Sequence, residues 1–126
     1  ARMSGFGFEN PHGIGIIRGG KFVGAVVFDN YRPAAKTVYV SIALDDKMAL
    51  SKQLLQQLFD FPFNGLGCNR LMAMIEMHNQ PSLNLCRRLG FVREGVLRQA
   101  GPTGADVAVF GMLRDECRWL NESQNT

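Results

Sequence analysis

A short stretch of the chain concentrates groups that could do chemistry: Glu76, His78, Asn79, Ser82 and Cys86. Imidazole is the side chain most often used as a general base, and His78 suits a base that takes a proton from an amine. Glu76 is the second candidate for that role. The competing reading of His78 is a partly exposed ring at a strand end, the commoner case. Asn79 and Ser82 stand where a helix would begin, and both residue types cap helices routinely. Cys86, between Leu85 and Leu89, reads as a small buried hydrophobe. Arg87, Arg88 and Arg93 could meet a phosphate or form a solvated face, the commoner case. Metal chemistry is not expected. The three cysteines, Cys68, Cys86 and Cys117, form no Cys-x-x-Cys pair, and His12 and His78 lack ligand spacing. Scattered thiols of odd number read as the reduced cysteines of a cytoplasmic protein.

These residues need a scaffold, and hydrophobic periodicity outlines one. Ile14–Arg18 reads as a strand, Gly19-Gly20 as a two-residue hairpin turn and Lys21–Phe28 as the return strand. Asp29-Asn30-Tyr31-Arg32-Pro33 has loop chemistry, and Thr37–Leu44 is a third strand. The period then changes. Leu50, Leu54, Leu55, Leu58 and Phe59 recur at helical spacing, and Pro62 should end or kink that helix. Arg70–Met77 is a strand so apolar that cover on both faces is expected. Pro81 opens a second helix and Gly90 closes it. Phe91–Arg98 is a strand with a bulge at Glu94-Gly95. A Gly/Pro loop, Gln99–Ala105, leads to a last strand, Asp106–Leu113, and a terminal helix, Arg114–Leu120. The expected fold class is α/β (α+β): a mixed, mostly antiparallel central sheet with helices on its faces.

Length and composition agree with this. The chain has 126 residues, of which 46% are hydrophobic and 20% charged, with a net charge of +3. That suits one domain, 1–126, with a polar tail at 121–126 expected to fray. No apolar run reaches the roughly 20 residues of a membrane span, and Ala1–Gly5 is no signal peptide. The abrupt start suggests a tag scar or a truncated N-terminus. The mild positive charge suits an anionic cofactor, and equally suits nothing in particular. Basic and aromatic residues are not interleaved, so a nucleic-acid partner is not expected.

Three motifs follow one another in the second half. They are Gly67-Cys68-Asn69-Arg70, then Asn79-Gln80-Pro81-Ser82, then Leu89-Gly90-Phe91-Val92-Arg93-Glu94-Gly95. Their order and spacing resemble the GNAT superfamily of acyl-coenzyme-A-dependent N-acyltransferases, in the style of the subgroup that acetylates ribosomal-protein N-termini. The close, Val109–Glu116 before Trp119, is similar too, and the resemblance covers roughly residues 14–120. The N-terminal helices common in that family are expected to be missing from this sequence.

The resemblance implies an N-acetyltransferase. Acetyl-coenzyme A would lie in a V-shaped gap between parallel strands Thr37–Leu44 and Arg70–Met77, touching Ile42, Ala43 and Leu44. The following loop and helix start, Lys47, Met48, Ala49, Leu50, Ser51 and Lys52, would hold the pyrophosphate, as helix N-termini do for anions. Asn79 would bond pantetheine, Ser82 would assist the departing thiolate, and Arg88 would meet the adenosine phosphate. Cys86 occupies the slot of a family Tyr that acts as general acid. The family loop pattern, Gln/Arg-x-x-Gly-x-Gly/Ala, falls on Leu44-Asp45-Asp46-Lys47-Met48-Ala49, where only Ala49 fits. Asp45 and Asp46 would repel a pyrophosphate, so weak cofactor binding is expected. The catalytic candidates are thus Ser82 and His78, and the acceptor is a small-molecule or peptide amine. The rival reading is a degenerate GNAT-fold interaction or structural module. Membrane partners are not expected, and homodimerisation is left open.

Overall fold

The computed structural model describes residues 11–45 and 50–120. Its element order is β1 (His12–Arg18), β2 (Lys21–Arg32), β3 (Thr37–Leu44), α1 (Lys52–Asp60), β4 (Arg70–Glu76), α2 (Gln80–Leu89), β5 (Val92–Leu97) and β6 (Val107–Leu113). The strands form one six-stranded sheet in the order β1-β2-β3-β4-β6-β5. All neighbours are antiparallel except β3 and β4. This is the mixed, mostly antiparallel sheet that the periodicity implies.

Local chemistry explains the turns. Gly19 and Gly20 have φ of 59° and 75°, and Arg18 pairs with Lys21 across them. Two consecutive positive φ values twist a hairpin correctly, and glycine adopts them without steric penalty. The β2 strand runs past Phe28 to Arg32, through residues whose types favour a loop. It continues because Asn30, at φ 53°, absorbs a register shift between Asp29 and Arg32, and Asn tolerates the left-handed region. The β5 bulge falls between Arg93 and Gly95, as its Glu-Gly pair suggests.

The first α-helix ends at Asp60, as expected ahead of Pro62, but the chain does not leave helical geometry there. Ser51 caps α1 by accepting the Leu54 N–H at 3.1 Å. Beyond Asp60 the chain widens into a π-helical turn, Phe61–Gly65, with Pro62 in its first positions, where no N–H donor is needed. Arg114 holds that turn, donating to the Phe63 carbonyl and to the side chain of Asn64.

Each parallel crossover must be right-handed. The steps β3 to β4 and β4 to β5 run the same way across the sheet, so both helices lie on one face. That face carries Val26, Phe28, Val38, Val40, Leu71, Ala73 and Ile75, all buried. The rings of Phe59 on α1 and Phe91 after α2, 6.4 Å apart, join the helices' packing. Among the described residues, β4 is fully covered by helices on one face only, short of the cover on both faces that its composition suggests. Its residues alternate, with Met72 and Met74 half-buried on the side away from the helices. The expected helix over Arg114–Leu120 is corrected as well. Only a 3-10 turn, Arg114–Glu116, forms. The rest is drawn onto the end of α2, where Trp119 Nε1 donates to the Leu89 carbonyl at 2.8 Å and Arg118 to that of Arg88. The tail at 121–126 lies outside the described residues.

Candidate active site

The sheet opens at its centre. β3 and β4 pair only at Thr37–Arg70, Val38–Leu71 and Tyr39–Met72. Beyond these residues the strands diverge, so the edges after Tyr39 and Met72 face a gap. Under it, on the helical face, lies a slot. It is lined by Val40 and Ile42 of β3, Ala73 and Ile75 of β4, Ser82, Leu85, Cys86 and Leu89 of α2, and Phe91. The walls are hydrocarbon almost throughout.

Ser82 is the exception. It is 3% exposed, and its Oγ is the one buried side-chain polar atom without a hydrogen-bond partner among the described residues. A buried hydroxyl left unpaired is destabilising by about 1–3 kcal/mol, so such groups are rare unless a ligand or water satisfies them. Ser82 does not cap the helix. That role falls to Asn79, whose side chain accepts the Ser82 N–H at 3.4 Å. One turn along, Cys86 faces the same slot, and burial pushes its thiol up to about 12. It stays a neutral, small apolar side chain. Cys68 and Cys117 are likewise buried and free, their thiols raised by burial.

A second cluster sits at the C-terminal end of β4. Glu76, 7% exposed, points away from Ile75 and hence toward the face without helices. Its Oε2 accepts from the Thr103 hydroxyl, and from the Thr103 N–H at 3.2 Å. His78 Nε2 lies 3.5 Å from the same oxygen and 3.3 Å from Thr103 Oγ1. The Thr103 hydroxyl bond, against partial desolvation, holds the Glu76 carboxyl below the usual carboxylate range, with the Thr103 N–H and His78 helping. The ring of His78 is largely exposed beside this buried anion.

The other candidate residues divide. Ile42 lines the slot, while Ala43 and Leu44 are half-buried at the end of β3. Leu50 packs against the core, Ser51 caps α1 and Lys52 is its exposed first residue. Lys47, Met48 and Ala49, with Asp46, lie outside the described residues; Asp45 is exposed. Arg88 is exposed in the last turn of α2, away from the slot. Trp119 packs and bonds to the backbone rather than offering a platform. Sequence reasoning missed Thr103, because a contact 27 residues from Glu76 leaves no local signature in a Gly/Pro loop.

The described residues form a mixed sheet with two helices and a splayed central parallel pair, the arrangement that the sequence resemblance implies, and comparison with known proteins agrees. The family model of the Acetyltransferase (GNAT) family matches residues 4–91. The chain belongs to that family. It is 36% identical over 69 residues to the "Uncharacterized N-acetyltransferase p20" of Bacillus licheniformis, a match that covers 52% of this chain and 39% of that protein. The chain thus spans well under half the length of the curated relative it matches. A solved mutant of the spermidine N-acetyltransferase SpeG from Vibrio cholerae superposes with a TM-score of 0.74 at 18% identity, covering 90% of this chain and 70% of that one. A second SpeG mutant gives 0.75 at 18% identity, over 90% and 69%. At that identity the likeness establishes the fold. Among the described residues no helix is long and apolar enough to cross a membrane.

Proposed function

We propose that the chain forms, as one GNAT-type unit, the catalytic part of an N-acetyltransferase that moves an acetyl group from acetyl-coenzyme A to an amine by direct attack. The observation that carries this reading is the orphan Ser82 Oγ in an apolar slot beneath unpaired strand edges. A small apolar recess with one unsatisfied hydroxyl, beneath unpaired strand edges, suits contact with a pantetheine arm, which is slender and largely apolar but has polar points. Acetyl-coenzyme A supplies an activated acyl group as its thioester. The unpaired strand edges hold the arm and offer an N–H to the developing oxyanion. Ser82 gives a hydrogen bond to the departing sulfur, and His78 takes the proton that the amine loses. Holding the two reactants together provides most of the acceleration.

Motif style favours the subgroup that acetylates ribosomal-protein N-termini, while the spermidine of the structural neighbours makes a polyamine the first small acceptor to try. Asp45, with Asp46 beside it in sequence, opposes a pyrophosphate, so affinity is expected to be low. Buried, free thiols suit a reducing, cytoplasmic setting. Calorimetry with acetyl-coenzyme A tests the reading. We expect weak binding that tightens roughly tenfold in the double variant Asp46→Arg, Lys47→Gly, with the gain shrinking as salt rises. Absence of heat with both proteins would leave the non-catalytic module as the answer.

A further inference from the structure

The cluster at the end of β4 gives the β5–β6 connection a task. A threonine hydroxyl has one proton to donate. Thr103 gives that proton to Glu76 Oε2, so toward His78 its oxygen can only accept. His78 Nε2 therefore faces two acceptors, Thr103 Oγ1 at 3.3 Å and Glu76 Oε2 at 3.5 Å. Nε2 must carry the ring proton, and in the neutral imidazole the lone pair is left on Nδ1. The same geometry excludes a nucleophilic Thr-His-Glu triad. A triad needs the carboxylate on the ring nitrogen opposite the hydroxyl, whereas here both meet Nε2.

The loop is shaped for this contact. A Cβ on Gly101 would run into the Glu76 carboxylate, so the backbone approaches only because position 101 has none. Gly101 N–H donates to the Ala105 carbonyl at 2.9 Å, and Gly104 closes the turn at φ 85°. The loop thus sets Thr103 over a strand end that lies far from it in sequence.

We infer that Thr103 and Glu76 are positioning residues for His78, fixing its ring with Nε2–H turned inward and the basic Nδ1 turned outward. This rests on the reading of His78 as the proton acceptor. Nitrogen-15 spectra of the imidazole rings at about pH 8, above the ordinary histidine range, test the arrangement directly, with His78→Gln assigning the signals. The expected result is a single Nε2–H tautomer whose proton exchanges slowly. Thr103→Val should speed that exchange about tenfold or more, and Thr103→Ser should restore the protection. In acetylation of spermidine, Thr103→Val should lower kcat about tenfold with KM for acetyl-coenzyme A unchanged, and Thr103→Ser should recover the loss. An Nδ1–H tautomer in the unaltered protein overturns the assignment. So does a Thr103→Val protein whose exchange and kcat match the parent's. If His78→Gln retains its kcat, the base reading falls and takes the catalytic consequence with it, while the spectra still judge the lock.

Discussion

Replacing Ser82 by alanine should stabilise the protein and weaken its ligand binding. The parent buries an unpaired hydroxyl among Val40, Ile42, Ala73, Ile75 and Leu89. Removing it relieves a desolvation cost of about 1–3 kcal/mol. Alanine is also the better helix former, by about 0.5 kcal/mol. Against this stand the dispersion contacts of one oxygen, each about 0.1–0.2 kcal/mol. The net expectation is a gain of about 1–2 kcal/mol, or roughly 3–8 °C in Tm for a domain of this size. Urea unfolding with an unchanged m-value would measure it cleanly. On the proposed reading, the same substitution would also remove a hydrogen bond from Ser82 to acetyl-coenzyme A. At about 1 kcal/mol net, that bond is worth roughly fivefold in Kd for acetyl-coenzyme A by calorimetry. Few substitutions raise stability and lower affinity together, which makes the sign pair diagnostic. A variant no more stable than its helix propensity explains would mean that the hydroxyl is already satisfied, and the argument for a ligand at Ser82 would fail.

Other consequences are smaller. Asn79→Ala removes the α2 cap and should lower stability by about 0.5–2 kcal/mol, toward the low end because the bond is 3.4 Å long; an affinity loss at constant Tm would instead mark Asn79 as a cofactor ligand. Gly90→Ala places a Cβ at φ 104° and 3.2 Å from an Arg118 guanidinium nitrogen, so a loss of about 1–2 kcal/mol in chemical denaturation is expected. The folded-state pKa of Glu76 is depressed. Its contribution to stability is therefore present above the unfolded value, near 4.5, and disappears as pH falls through the folded one. Glu76→Gln should flatten the acid limb of the stability curve below about pH 4.5; an unchanged limb would show that Thr103 does not favour the charged form.

What the sequence revealed was mostly what neighbours in the chain decide. Gly19-Gly20 dictates its hairpin, Pro81 and Gly90 bracket α2, and Glu94-Gly95 marks its bulge, because each acts within a few residues. The parallel pairing of β3 with β4 was also readable, since the amphipathic segment between them has to act as a crossover. What stayed hidden depends on distant partners. The turn after Asp60 is π-helical because Arg114 reaches back to Phe63 and Asn64, about 50 residues away. The segment after Glu116 gives up its helix because Trp119 and Arg118 find carbonyls at the end of α2. Periodicity names the residues that want burial; it says nothing about which loop will supply a hydroxyl to Glu76.

The separation of the two candidate chemistries follows from the pleat of one strand. Adjacent residues of a β-strand face opposite ways. Ile75 therefore faces the slot with Ser82 while Glu76 holds His78 on the other side. Register must hold for this to work, since a slip of one residue exchanges the faces. The pairing of β4 with β6 is unbroken from Arg70–Leu113 to Glu76–Val107. Across the middle strand, Arg70 bonds Glu94 over Gly111, where any Cβ would approach Glu94 Oε1 to 2.6 Å. The bulge in β5 lies at this same Glu94. Thus the Glu-Gly bulge and the glycine in β6 keep β4 in the one register that puts the apolar recess on one face and the Glu76–His78 cluster on the other. On the proposed reading, an amine and a thioester would meet at the gap where the pairing of β3 with β4 ends.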